Sequence, residues 1–283
     1  MTLMQSGRTN RNSWVCLLVL AALAPAFPSA YGQHEDRPTR LKRVEKTFGD
    51  PPEMKRISET DRVWVDAKKH RVVADGYVAM RNGQLEMFAC PAGTKEHESV
   101  VGLFSKAHVI HAGLLAAGAK SGTPVQWEPS YRAPTGSEIQ IHVLWVDKEG
   151  KKQVIDARKW IREMGRDREL DTNWVFAGSS FWKDPDSGEE RYMAESGDLV
   201  CISNFSTATL DIPTKSSHAN SGLLFAAYTD RIPVEGTPVR LVFQLVTPND
   251  NAGNKKPAET PKGEAEPKEP KPVVDPTDAK PQP

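Results

Sequence analysis

Between Phe88 and Ser99 the chain reads FACPAGTKEHES, placing a cysteine, a histidine, two glutamates, a lysine and two hydroxyls within twelve positions. Two kinds of chemistry fit these residue types. A Cys90 thiolate could attack a substrate, with His97 or His111 as its base and Glu96 or Glu98 orienting the imidazole. Alternatively, Cys90 and His97, joined by His108, His111 or Cys201, offer the soft and borderline donors that hold a divalent transition metal such as zinc. Neither Cys-x-x-Cys nor His-Glu-x-x-His occurs, and those are the spacings that make a metal assignment specific. Lys95, Glu96 and Glu98 add polar groups that a small ligand could use.

Cys90 also has a third option. The chain holds three cysteines, and Cys16 falls in an N-terminal segment with the marks of an export signal. Arg8 and Arg11 precede the apolar run Trp14–Ala24, which is too short to span a bilayer, and small-residue cleavage patterns follow at 24–26 and 30–32. Residues 1–30 therefore read as a signal peptide, which places the mature protein in the periplasm, cell envelope or medium, with no transmembrane span once the signal is removed. Cys90 and Cys201 then remain as an even pair in an oxidising compartment, where a disulfide becomes an option. Closing that loop would contribute roughly 4–5 kcal/mol in the chain-entropy picture. Two buried, inert thiols are the other structural option.

The elements that must position these groups lie between residues 60 and 247. A charged, proline-interrupted leader (31–59) precedes them, and a Pro/Lys/Glu tail (248–283) follows with too little apolar content to fold. Period-two runs predict strands at 62–66 and 71–74, joined as a hairpin, and at 77–80 and 85–89, joined through Asn82-Gly83. Others are expected at 138–146 turning into 153–155, and at 173–177, 191–194, 198–202 and 239–246. Helices are expected over Ser105–Gly118, with Ser105 as N-cap and Ile110, Leu114 and Ala117 facing the sheet, over Asn220–Tyr228, and briefly after Asp156. The pattern predicts a single hairpin-rich α+β domain whose antiparallel or mixed sheet carries two or three helices.

Other motifs fail on inspection. Gly113–Ser121 resembles a phosphate loop, but Ala119 separates Gly118 from Lys120 and the glycines fall within a helix. Asp184-Pro-Asp-Ser-Gly188 mimics a calcium loop with its glycine one place early, and reads better as a hairpin turn. No Gly-x-Ser-x-Gly elbow surrounds Ser179 or Ser180. Trp174–Trp182 is aromatic enough to pack a core or to line a cleft. Lysine plus arginine equals aspartate plus glutamate at 37 each, so no field favours nucleic acid as a partner.

Four segments taken in order, 85–99, 111–119, 171–179 and 200–205, resemble the YdjY-like domain family of bacterial exported proteins, over about Val63–Val246. The resemblance implies an envelope or secreted protein and links Cys90, Glu96, His97, Glu98, His111 and Cys201 to family motifs, without an activity. Two mature cysteines fall short of the four thiolates of an iron–sulfur cluster. The function expected is the binding of a small ligand or metal near Cys90–Ser99 and the His111 helix. The alternatives are a Cys/His-based hydrolase or transferase and a non-catalytic binder or scaffold for an envelope polymer.

Overall fold

The computed structural model describes residues 35–217 and 222–247. The segments expected to be a signal peptide (1–30) and a tail (248–283) lie outside the described residues. From Arg37 onward the described residues form one compact unit; a separate unit, Met1–Asp36, contributes only Glu35 and Asp36 to them.

Within the charged segment that precedes residue 60, Arg37–Phe48 forms helix α1. Leu41, Val44 and Phe48 recur at helical spacing and pack on Tyr77 and Phe104. Gly49 ends the helix at φ 60°, a left-handed cap that favours glycine.

The strands are β1 (Lys55–Arg56), β2 (Val63–Asp66), β3 (Arg71–Val78), β4 (Met87–Pro91), β5 (Ser99–Leu103), β6 (Glu138–Val146) and β7 (Lys152–Asp156). They continue with β8 (Ile161–Glu163), β9 (Arg168–Glu169), β10 (Trp174–Val175), β11 (Phe181–Lys183), β12 (Glu190–Tyr192), β13 (Val200–Cys201), β14 (Phe225–Ala227) and β15 (Pro238–Leu245). The main sheet runs β10-β6-β15-β3-β5-β4-β13, with β7 beside β6 and the β1–β2 pair beside β3. A three-stranded sheet, β14-β8-β9, and the β11–β12 hairpin complete the β-structure.

Its core follows the period-two pattern. Leu241 pairs with Ala74 on one side and Val143 on the other, and Phe243 with Val72 and Ile141; all six are fully buried. Helix α2 (Ala107–Ala116) is the expected 105–118 helix, with Ile110, Leu114 and Ala117 buried as predicted. Gly113 lets it approach closely, since a Cβ there would lie 3.2 Å from both Ile57 and Val72.

Three local expectations are corrected. The Asn82-Gly83 hairpin does not form, because β5 pairs with β3 and separates it from β4; Leu85 N–H instead donates to Phe225 C=O at 3.0 Å. Phe225–Ala227 is a strand rather than part of a 220–228 helix, and Thr229–Arg231 is a single 3₁₀ turn; residues 220 and 221 lie outside the described residues. Ala157–Trp160 is likewise a 3₁₀ turn, too short to count as the third helix. The architecture is thus a β-dominated α+β fold with a mixed sheet. The β6–β7 and β2–β3 hairpins and the Pro185–Gly188 turn of β11–β12 fall where the sequence placed them.

Candidate functional site

Strands β4 and β5 are neighbours and parallel, with Cys90 level with Gly102. The chain therefore runs up β4, doubles back through residues 92–98 and starts β5 near the beginning of β4. That return loop is the polar part of FACPAGTKEHES.

The two cysteines are free and buried. Their strands do pair, but Cys201 stands opposite Met87, three residues before Cys90. Three residues of strand span ~10 Å, beyond the roughly 7 Å between Cα atoms that a disulfide bridges. The bonded pair is therefore excluded, by register rather than by distance in the fold. Burial pushes the Cys90 thiol up, and pushes Cys201 well above its ordinary value. Neither is a ready thiolate, so nucleophilic attack loses its driving group. His97 points outward, its side chain 77% exposed and 3.3 Å from Glu98. Among the described residues no three His, Cys, Asp or Glu side chains converge as a metal-holding group.

The other loop groups turn inward. Lys95 Nζ lies 2.9 Å from Asp198 Oδ1 and 3.7 Å from Glu86 Oε2, and 5.0 Å from the Phe205 ring centroid. Its stem runs over Gly197, where a Cβ would fall 2.6 Å from Lys95 Cγ. Burial opposes the ammonium charge, but the Asp198 hydrogen bond and charge outweigh it and the Lys95 pKa rises. Glu96 accepts from the Tyr77 hydroxyl and from Gly93 N–H, which closes the loop on the sheet.

Glu86 and Asp198 thus share one ammonium, while Glu98 contacts Glu86 and acts on Lys95 through its charge. Glu86 is the most deeply buried, and burial, then the Glu98 contact, push its pKa up to about 7. In an unfolded chain its proton leaves near 4.5, so between those values the folded state holds more protons. The stabilising contribution is complete below 4.5 and is lost as pH rises through 7. In urea titrations at pH 5 and pH 8, the wild type is expected to lose about 1–3 kcal/mol more stability across that interval than the Glu86→Gln variant. Equal losses in both proteins would remove Glu86 as the source.

The second cluster gathers at the first turn of α2. Ser105 does not cap it, since its hydroxyl donates to Lys106 C=O. Glu195 does so from 88 residues away, accepting from Ala107 N–H at 3.1 Å and His108 N–H at 2.8 Å. Its carboxylate also lies 2.6 Å from His108 Nδ1. One turn on, His111 Nδ1 bonds the Tyr192 hydroxyl at 2.8 Å, and that hydroxyl reaches Thr209 Oγ1 at 2.9 Å. Burial lowers the His111 pKa and raises that of Tyr192 to about 12, so both are neutral at ordinary pH.

Between this turn and the β11–β12 hairpin runs an open groove of about 700 Å³. His108, Phe181, Arg191, Tyr192 and Glu195 line it. Phe181 is 63% exposed, and its ring centroid is 5.1 Å from that of Tyr192. The aromatic stretch 174–182 therefore divides: Trp174 and Phe176 are core, whereas Phe181 and Trp182 face solvent.

Of the residues singled out from sequence, Lys95, Glu96 and Glu98 meet in and around the return loop, His111 belongs to the groove cluster, and His97, Cys90 and Cys201 join neither. Glu86, Asp198, Glu195 and Tyr192 went unforeseen. Glu86 meets Lys95 and Glu98 from within the same stretch, whereas the partners of Asp198, Glu195 and Tyr192 lie far along the chain, and the β13–β4 pairing and the docking of residues 193–198 bring those in.

Fold and clusters together define a β-rich α+β domain with a charged return loop between parallel strands and a groove at a helix start. The YdjY domain model matches residues 63–244, and the chain belongs to that family. No curated protein and no solved structure matches it. Among the described residues, no helix is long and apolar enough to cross a membrane.

Proposed function

We propose that this domain is a non-catalytic binder of a small polar ligand, seated in the groove between the first turn of α2 and the β11–β12 hairpin. The observation that carries the reading is the meeting of an exposed aromatic face, Phe181 on Tyr192, with the His108–Glu195 pair and Arg191 in one concave surface. An aromatic wall with a few convergent polar groups is the usual make-up of a ligand site. A ring with an apolar face and peripheral hydroxyls, such as a saccharide unit of an envelope polymer, fits this chemistry. The hydrolase reading has less support, because both thiols are buried and His97 stands apart from them.

Titration with N-acetylated and unmodified mono- and disaccharides, followed by NMR, is expected to shift signals of Phe181, Tyr192 and His108. Phe181→Ala is expected to weaken that binding about tenfold, in keeping with the roughly 1–2 kcal/mol of an exposed aromatic contact. Saccharides that shift nothing, or shift the variant equally, would sink the saccharide assignment.

We also propose that the domain works outside the cytoplasm, on the strength of the charged, apolar and small-residue order of residues 1–32. A reporter enzyme active only after export, fused behind residues 1–36, is expected to be active. It should lose activity when Leu17–Leu20 is interrupted by two charged residues.

A further inference from the structure

The two segments that cannot bridge Cys90 to Cys201 do meet through another pair. Lys95 lies five residues after Cys90 and Asp198 three before Cys201, and Lys95 Nζ stands 2.9 Å from Asp198 Oδ1. A carbonyl bond is about 1.2 Å long, so this nitrogen is within roughly 4.1 Å of the Asp198 carboxyl carbon.

The same nitrogen is the meeting point of the other groups. Glu86 Oε2 lies 3.7 Å from it, and Glu86 Oε1 is buried without a hydrogen-bond partner. Glu98 contacts Glu86 from the return loop. The Phe205 ring centroid is 5.0 Å from Nζ, and the Lys95 stem packs against Gly197, next to Asp198. Asp198 Oδ2 accepts from the Thr207 hydroxyl and, at 3.5 Å, from the Ser196 hydroxyl. Asp198 and Glu86 are both buried.

A primary amine, a carboxyl group at contact distance and a second buried carboxyl beside them are the parts of an amide condensation. The Lys95 ammonium passes one proton to Glu86, and the freed amine adds to the Asp198 carboxyl carbon. Glu86 returns that proton to the departing oxygen, and a second proton moves from the nitrogen to the same oxygen. The C–O bond breaks, water leaves, and an amide joins Nζ to the Asp198 side chain. Ammonium and carboxylate thus become amide and water, with Glu86 restored and no oxidant, nucleotide or second enzyme consumed. The fold supplies the encounter by holding the groups together. Two charges kept partly from water, which are costly, give way to one neutral group. The charge of Asp198 favours the ammonium and so slows the first step, but each molecule completes it only once.

We propose that Lys95 and Asp198 condense, with Glu86 as proton carrier, into an isopeptide bond that fastens the return loop to the segment entering β13. The ion pair described above is the reactant of this step. The bond pins β13, which ends the main sheet, where a disulfide is ruled out by register. It does not depend on what the groove binds.

Mass spectrometry of the purified full chain, denatured and digested with trypsin, tests it. The wild type is expected to yield a branched peptide joining residues 82–106 to 192–215, uncut after Lys95 and lighter by one water than its two parts. Lys95→Arg keeps the positive charge but lacks the amine. It is expected to give the two stretches separately and to melt about 10 °C lower, as release of a loop of about a hundred residues implies. Glu86→Gln keeps the reacting pair and is expected to leave most molecules unjoined. Wild-type digests with ordinary cleavage after Lys95 and no branched peptide would overturn the proposal, leaving an ion pair only. So would a loss of water that persists in Lys95→Arg, and complete joining in Glu86→Gln would remove Glu86 as proton carrier.

Discussion

Asp75→Ala is expected to cost the domain about 3–5 kcal/mol, read as a lowered urea midpoint. Asp75 is fully buried in mid-sheet and accepts from two arginines at once. Arg62 approaches with Nε at 3.2 Å and Nη2 at 2.7 Å, and Arg240 with Nε at 2.6 Å and Nη2 at 3.0 Å. Both guanidiniums then reach Gly49 C=O, at 2.9 and 2.7 Å, which ties the end of α1 to the sheet. The Trp64 ring lies 4.5 Å from Arg62 and 5.3 Å from Arg240. Deleting the carboxylate takes from Arg240 the anion it pairs with and leaves Arg62 only the exposed Asp50 and Glu45 carboxylates, at 3.2 and 3.9 Å, and that loss exceeds what the pairs contribute when intact. α1 should also loosen, so protease cleavage near Gly49 is expected in the variant well below its global unfolding midpoint. A change under about 1 kcal/mol would show that water relieves the two arginines and that the triad is less enclosed than its burial implies.

Gly76→Ala is expected to be nearly as damaging, at about 2–4 kcal/mol, for a steric reason. A Cβ at this position would sit 2.2 Å from Gly102 C=O and 3.0 Å from a Leu103 methyl. The obstacle is backbone of the paired strand, not a side chain that can swing aside. β3 and β5 would have to part, weakening the pairing of Gly76, Tyr77 and Val78 with Leu103, Gly102 and Val101. Faster amide exchange confined to β5 and β4, alongside a lowered melting point, would mark this cause. Unchanged exchange there would refute it.

How far the sequence reached can be seen element by element. Strand β6 was legible to the residue because Ile139, Ile141 and Val143 alternate over one buried face. α2 was legible because its apolar stripe has the helical period. The Asn82-Gly83 hairpin misled for a physical reason. Asn-Gly favours a tight reversal, but pairing partners are chosen by long-range burial, and β5 out-competes β4 for the edge of β3. α1 escaped notice because its apolar face is only Leu41, Val44 and Phe48 among many charges, and much of its anchoring comes from Arg62 and Arg240. At the candidate site the loop residues were found and their partners were not. Cys90 and His97 drew attention as chemically capable types, whereas Glu86, Asp198 and Glu195 are ordinary surface residue types until the fold buries or docks them.

The central position of β15 has a consequence in time rather than in space. This strand fills the gap between β6 and β3, yet it is the last strand of the described chain. Until Pro238–Leu245 has left the ribosome, β3 and β6 each present an unpaired edge, and the β-pairs between residues 71–77 and 238–244 cannot form. Pairing over such separations is slow to nucleate. The growing polypeptide therefore stays open until this strand emerges. For a protein that we propose is exported, this delay keeps the chain threadable, and it moves the closing step of folding to the far side of the membrane.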